Sequence, residues 1–145
     1  MAEGPPSRID LEHDEHHATH VGRVDDGRQF FITMPFEPEH GDQPRRDFLA
    51  LFLWAADGRF LEAKGSVAPP EWEDVEEAVE ALVDDLGDVE FCRIRVSPFS
   101  IRLFDLDFGL IPSPPESDDD EWAVELMPGN SMCFFAPWDS GEYDT

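Results

Sequence analysis

Two Asp-Gly turns constrain this chain more than any other feature. The first, Asp26-Gly27, separates HVGRV from RQFFITMPF, and the second, Asp57-Gly58, separates DFLALFLW from RFLEAKGSV. Glycine takes positive φ without steric penalty and Asp tolerates the left-handed region, so each pair suits a tight turn whose twist matches two antiparallel strands. The sequence therefore predicts two β-hairpins, 20–36 and 47–67. A third turn signal, Pro128-Gly129-Asn130, lies between WAVELM and SMCFFA. The first two stretches share D-G-R about thirty residues apart, but two copies are fewer than a solenoid needs, so the likeness is assigned to turn chemistry.

One helix is expected after the second hairpin. Pro69 and Pro70 end the strand, and one of them suits the first helical position, where a missing N–H costs nothing. Trp72, Val75, Val79, Leu82, Val83 and Leu86 fall within an arc of roughly 100°, the width of a core-facing stripe. Gly87 then supplies a left-handed stop. The segment DVEFCRIRV, 88–96, alternates cleanly and reads as one strand, with Val89, Phe91, Arg93 and Arg95 opposite Glu90, Cys92, Ile94 and Val96. FSIRLFDLDFGLI, 99–111, reads as another, with Phe104, Leu106 and Phe108 opposite Asp105 and Asp107. Residues 112–121 hold five carboxylates and no apolar residue beyond three prolines, the composition of an acidic surface loop. The expectation is an α+β fold in which an antiparallel sheet of about six to eight strands, built from hairpins as a meander, packs against one amphipathic helix. Residues 20–145 form a single domain in this reading, behind a loose polar N-terminal arm, 1–19.

Charge then limits function. With 34 Asp and Glu against 10 Lys and Arg, the formal charge is −24, which repels phosphate backbones and anionic lipid heads. Direct nucleic-acid binding and membrane-surface binding are excluded as expectations. Twelve Phe, four Trp and 41 % hydrophobic residues supply a core that a disordered acidic chain lacks. No apolar run approaches the roughly 18 residues of a membrane span, and the N-terminal residues have neither a basic nor an apolar leader region, so a cytoplasmic location is expected. Cys92 and Cys133 show no C-x-x-C spacing and read as buried free thiols, not a disulfide scaffold. The commonest nucleotide and hydrolase signatures, G-x-x-x-x-G-K-[ST], G-x-G-x-x-G and G-x-S-x-G, are absent.

Three groups of residues are candidates for chemistry. His13, His16, His17 and His20 would share one face if helical, and neutral imidazoles so placed can ligate zinc or nickel. The order lacks H-E-x-x-H, and the plainer reading is a polar arm whose protonated imidazoles trim negative charge at mildly acidic pH. Asp105 and Asp107 would point the same way along a strand, roughly 6.6 Å apart, a spacing that could hold a divalent cation. The polar face of the helix carries Glu73, Glu76, Glu77, Glu80 and Asp84, with Asp74 and Asp85 at its edges, and no Lys or Arg lies between Lys64 and Arg93. Like charges at i, i+4 repel by roughly 0.2 to 0.5 kcal/mol per pair, so stability alone does not favour the arrangement.

Acidity is also uneven along the chain. Residues 71–145 hold 21 acidic and 3 basic residues, against 13 and 7 in residues 1–70. From Leu103 to Thr145 there is no Lys or Arg, yet that stretch contains Trp122, Phe134, Phe135, Trp138 and Tyr143. Aromatics among acids suit an interface in which rings anchor and the field steers a cation-rich surface. The leading expectation is a small non-catalytic binding module that captures a basic protein partner through Glu73, Glu76, Glu77, Glu80, Asp84, Trp122 and Trp138. In composition only, with no shared motif, the chain resembles bacterial immunity proteins and DNA mimics. Two alternatives stand beside it: a metal-binding domain or metalloenzyme using the four histidines, and a globular domain whose acidity, with nine Arg to one Lys, is halophilic adaptation.

Overall fold

The computed structural model describes residues 8–12, 20–39, 41–115, 117, 122–127, 132–135 and 141–143. Its first half contains β1 (Ile9–Leu11), β2 (His20–Val24), β3 (Gln29–Thr33), β4 (Phe36–Glu37), β5 (Arg46–Trp54) and β6 (Phe60–Val67). The single described helix, α1 (Trp72–Leu86), follows. Then come β7 (Val89–Phe91), β8 (Ile94–Val96), β9 (Phe99–Leu103), β10 (Leu106–Ser113), β11 (Ala123–Met127), β12 (Met132–Phe135) and β13 (Gly141–Tyr143). An α+β class holds, but the expected single sheet is replaced by three antiparallel sheets.

The central sheet has six strands. β5 lies between β6 on one side and both β3 and β4 on the other, and β2 and β7 extend it beyond β3. The second sheet runs β13-β12-β11-β10-β9, and β1 pairs with β8 as a third, two-stranded sheet. The reason for three sheets is written in β5. Every residue from Phe48 to Trp54 is buried, so both faces of this strand need a cover. On one face Val21, Phe31, Ala50, Phe52 and Trp54 pack against Ile9, Leu11, Ile94 and Val96 of the small sheet and Phe99, Leu110, Val124, Leu126 and Phe134 of the second sheet. On the other, Val24, Phe30, Ile32, Leu49, Leu51 and Leu53 meet Ala78, Val79, Leu82, Val83 and Leu86 of α1.

Both Asp-Gly turns close hairpins as expected, β2–β3 and β5–β6. Gly27 and Gly58 take φ of 96° and 91°. The shared D-G-R has a local cause: Asp26 accepts the Arg28 backbone N–H at 3.1 Å, and Asp57 accepts that of Arg59 at 3.0 Å. That backbone hydrogen bond from Arg28, with its guanidinium beside, lowers the Asp26 carboxyl below its ordinary range. The third hairpin also forms, β11 pairing with β12.

Elsewhere the expected boundaries change. Residues 9–11, assigned by composition to the loose arm, form β1, with Ile9 and Leu11 fully buried against β8. The strand expected over 88–96 breaks at Cys92-Arg93: β7 pairs with β2 in the central sheet, and β8 leaves it to pair with β1. The strand expected over 99–111 folds back as a hairpin, β9–β10, through Phe104 and Asp105, whose φ values are 53° and 61°. The acidic loop starts later than expected, because Pro112 and Ser113 pair with Val124 and Ala123. Pro112 lies past Leu110, the last β10 residue paired with β9, so its missing N–H removes nothing on that side. Part of the expected tail forms the edge strand β13. At α1 the first helical position is taken by Trp72 and not by a proline, with Glu71 as N-cap, and Gly87 ends the helix where expected but at φ 91°, ψ −140°, outside the left-handed helical region.

One buried polar residue joins three of these segments. Gln29, at 1 % exposure, donates to the Ala55 carbonyl at 3.0 Å and accepts the Arg95 backbone N–H at 2.9 Å. Close by, the Trp54 indole donates to the Ser97 carbonyl at 3.0 Å, and the Ser97 N–H donates to the Gly58 carbonyl at 2.8 Å. The β5–β6 turn is thereby tied to the end of β8. A leucine at position 29 would leave the Arg95 N–H without its acceptor, while the Ala55 carbonyl keeps the Gly58 N–H, so Gln29→Leu should lower the unfolding free energy by about 1–3 kcal/mol in urea titrations, whereas a loss below about 0.5 kcal/mol would contradict this role.

Candidate functional site

α1 covers the central sheet incompletely. Of its residues only Val75 is fully buried, while Ala78, Val79, Leu82, Val83 and Leu86 are half-buried against the sheet. Along one side of the helix this leaves a groove of about 490 Å³ lined by His20, Ile32, Thr33, Met34 and Leu49 of the sheet side and by Trp72, Val75, Glu76, Val79 and Glu80 of α1. A smaller recess of about 230 Å³, lined by His20, Glu80, Val83, Asp84 and Phe91, continues it toward the helix C-terminus. The floor is apolar and the rim is acidic. None of the residues lining either part is Lys or Arg.

Exposed aromatics stand at both ends. Trp72, expected to face the core, is instead 65 % exposed, with its indole N–H donating to Glu76 Oε1 at 2.9 Å. It sits at the first helical position, beyond the edge of the sheet's apolar face, and its i, i+4 partner holds it over the groove. Phe91 is 45 % exposed and meets His20 edge-on at 5.7 Å and Phe30 at 6.1 Å. Gly22 makes that placement possible. It pairs with both Phe30 and Phe91 across the strands, and a Cβ there would collide with the Glu90 carbonyl.

The carboxylates of α1 are not spread evenly around it. At about 100° per residue the seven carboxylates cover the half of α1 turned away from the sheet: Glu76 and Glu80 lie nearest Trp72 and Val83 on the groove side, Glu73, Asp84 and Glu77 lie around the outward pole, and Asp74 and Asp85 lie toward the opposite flank. All seven are exposed. The last turn contains no basic residue, so Asp84 and Asp85 face the negative end of the helix dipole uncompensated from within the helix.

The other candidates are distributed differently. His13, His16, His17 and Trp138 lie outside the described residues. His20 is the first residue of β2 and faces the groove, and among the described residues no group of three or more His, Cys, Asp or Glu is placed to hold a metal ion. Asp105 and Asp107 do not share a strand face as expected, because Asp105 belongs to the β9–β10 turn. Arg102 spans them, donating to the Asp105 carbonyl at 2.8 Å and the Asp107 carboxylate at 3.3 Å. Trp122 is half-buried beside β11, in the layer across the central sheet from α1, so it is not brought together with the helix carboxylates. Cys92 and Cys133 are not joined in a disulfide, and both are half-buried where full burial was expected. Sequence reasoning missed Phe91 and Met34 as groove residues. The period-two pattern placed Phe91 on a strand face without saying whether the helix covered it.

The uneven cover gives a direct comparison. Val75→Ala should cost about 1–3 kcal/mol of unfolding free energy, because it opens a void under the helix, while Trp72→Ala should stay within about 1 kcal/mol of the parent. Equal losses in chemical denaturation would mean that Trp72 is part of the core. Among the described residues no helix is long and apolar enough to cross a membrane. No family model, no curated protein and no solved structure matches this chain.

Proposed function

We propose that this chain is a small, acidic, non-catalytic cytosolic module that captures a basic protein partner on the groove side of α1. The observation that carries the reading is the placement of Glu76, Glu80 and Asp84 on the rim of an apolar groove, with Trp72 exposed beside them and Glu73 and Glu77 on the adjoining outward face of the helix. Glu73, in the first turn, suits the positive end of the helix dipole, but the set as a whole opposes the helix. The Glu73/Glu77, Glu76/Glu80 and Glu80/Asp84 pairs each oppose it by roughly 0.2 to 0.5 kcal/mol. A cation-rich surface brought against them would relieve that repulsion, and the field of a chain with formal charge −24 would speed the encounter. Trp72 adds the anchoring area that a purely ionic contact lacks.

The test uses a synthetic Lys- and Arg-rich peptide as the probe, followed by backbone amide shifts of the full chain. The peptide should perturb α1 amides, and its affinity should fall steeply as KCl is raised. Reversing Glu73, Glu77 and Glu80 to Lys should weaken binding by about tenfold or more and flatten the salt dependence. Unchanged binding in that variant, or shifts confined to residues 112–127, would overturn the reading.

A further inference from the structure

The partner's chemistry can be specified further, resting on the reading above. The groove and its smaller continuation share His20 and Glu80, so together they follow α1 from Trp72 to Asp84, about 18 Å of helix at 1.5 Å per residue. We infer that this groove is the seat of a basic amphipathic helix, which lays its apolar stripe on the floor formed by Ile32, Met34, Leu49 and Val79 and its Lys and Arg side chains along Glu76, Glu80 and Asp84.

Three features select this occupant. Charge complementarity requires cations, since the rim carboxylates recur at i, i+4 and no lining residue is Lys or Arg. The floor requires apolar groups on the same segment, because a purely polar cationic chain would leave the groove wet and its hydrophobic surface exposed. A helix also satisfies its own backbone N–H and C=O groups, whereas an extended segment would need an edge strand to pair with, and this groove is walled by side chains. The repeat of Glu76, Glu80 and Asp84 matches the one-turn pitch at which a second helix would present cations.

The experiment compares two synthetic peptides of identical composition against the full chain: one places Leu at i, i+3, i+4 and i+7 among Lys and Arg, and the other shuffles these residues so that no apolar stripe forms. At high KCl, where ionic attraction is screened, the amphipathic peptide should bind about tenfold tighter than the shuffled one, with shifts at Met34, Leu49 and Val79. Val79→Phe, which fills the groove, should abolish that difference while leaving binding of the shuffled peptide at low KCl unchanged. Should Val79→Phe lose its folded circular dichroism spectrum, Thr33→Phe at the groove edge provides the same test. Equal affinity of the two peptides at high KCl would overturn the amphipathic helix while leaving the acidic capture surface intact. Failure of both peptides to bind at low KCl would remove the capture reading itself. Concentration-dependent dimerisation in sedimentation, unaffected by either peptide, would assign the groove to a second copy of the chain and overturn the proposal.

Discussion

Burial of β5 on both faces governs this structure. Phe48, Ala50, Phe52 and Trp54 point one way and Leu49, Leu51 and Leu53 the other, and all seven are removed from water. At roughly 1.5–3 kcal/mol for each large side chain, leaving either face open would forfeit several kcal/mol against a total stability of only about 5–15 kcal/mol. A hairpin and a helix cannot cover two faces. The chain therefore brings β1, β8 and the second sheet to one face and spends α1 alone on the other. β6 marks the limit of that cover: Glu62, Lys64 and Ser66 on its helix-side face are exposed, and the helix does not extend over them.

The consequence for function lies in that asymmetry. The face under the second sheet is closed by interlocking rings, with Phe99 stacked on Phe60 at 4.0 Å and edge-on to Phe52 at 4.9 Å. The face under α1 is closed only along one line of the helix, and the open side carries Glu76, Glu80 and Asp84 on its rim. An apolar floor beside a row of like charges gives the fold nothing it needs. It does give two kinds of attraction to a single ligand, one screened by salt and one not.

The elements with a local signal were legible in the sequence, and those fixed by distant partners were not. The two Asp-Gly turns and the amphipathic period of α1 act within a few residues, so both hairpins and the helix follow from composition and spacing. The unbroken apolar run in DFLALFLW carries the signal for double burial, yet a short apolar run does not say what will cover it. The alternation of DVEFCRIRV continues through Cys92-Arg93, so no period marks the point at which the chain changes sheets. The β9–β10 turn has neither Gly nor Asn at its centre. Phe104 and Asp105 accept a left-handed conformation costing about 1–2 kcal/mol each because Phe104 stacks on Phe48 at 5.2 Å and Arg102 grips the Asp105 carbonyl. The acidic flank of α1 was legible residue by residue, whereas the groove beside it depends on how far the helix stands from β2 and β3.

The central claim is that the carboxylates of α1 burden the fold and are kept for a ligand. The most direct measurement is equilibrium unfolding of a Glu77→Gln, Glu80→Gln, Asp84→Asn triple variant beside the parent chain, at low and at molar KCl. Removing three repulsive pairs and one charge from the negative end of the helix should raise stability by about 1 kcal/mol at low salt, and molar KCl should erase the gain. A triple variant less stable than its parent at low salt would contradict the account, because the acids would then be serving the structure itself.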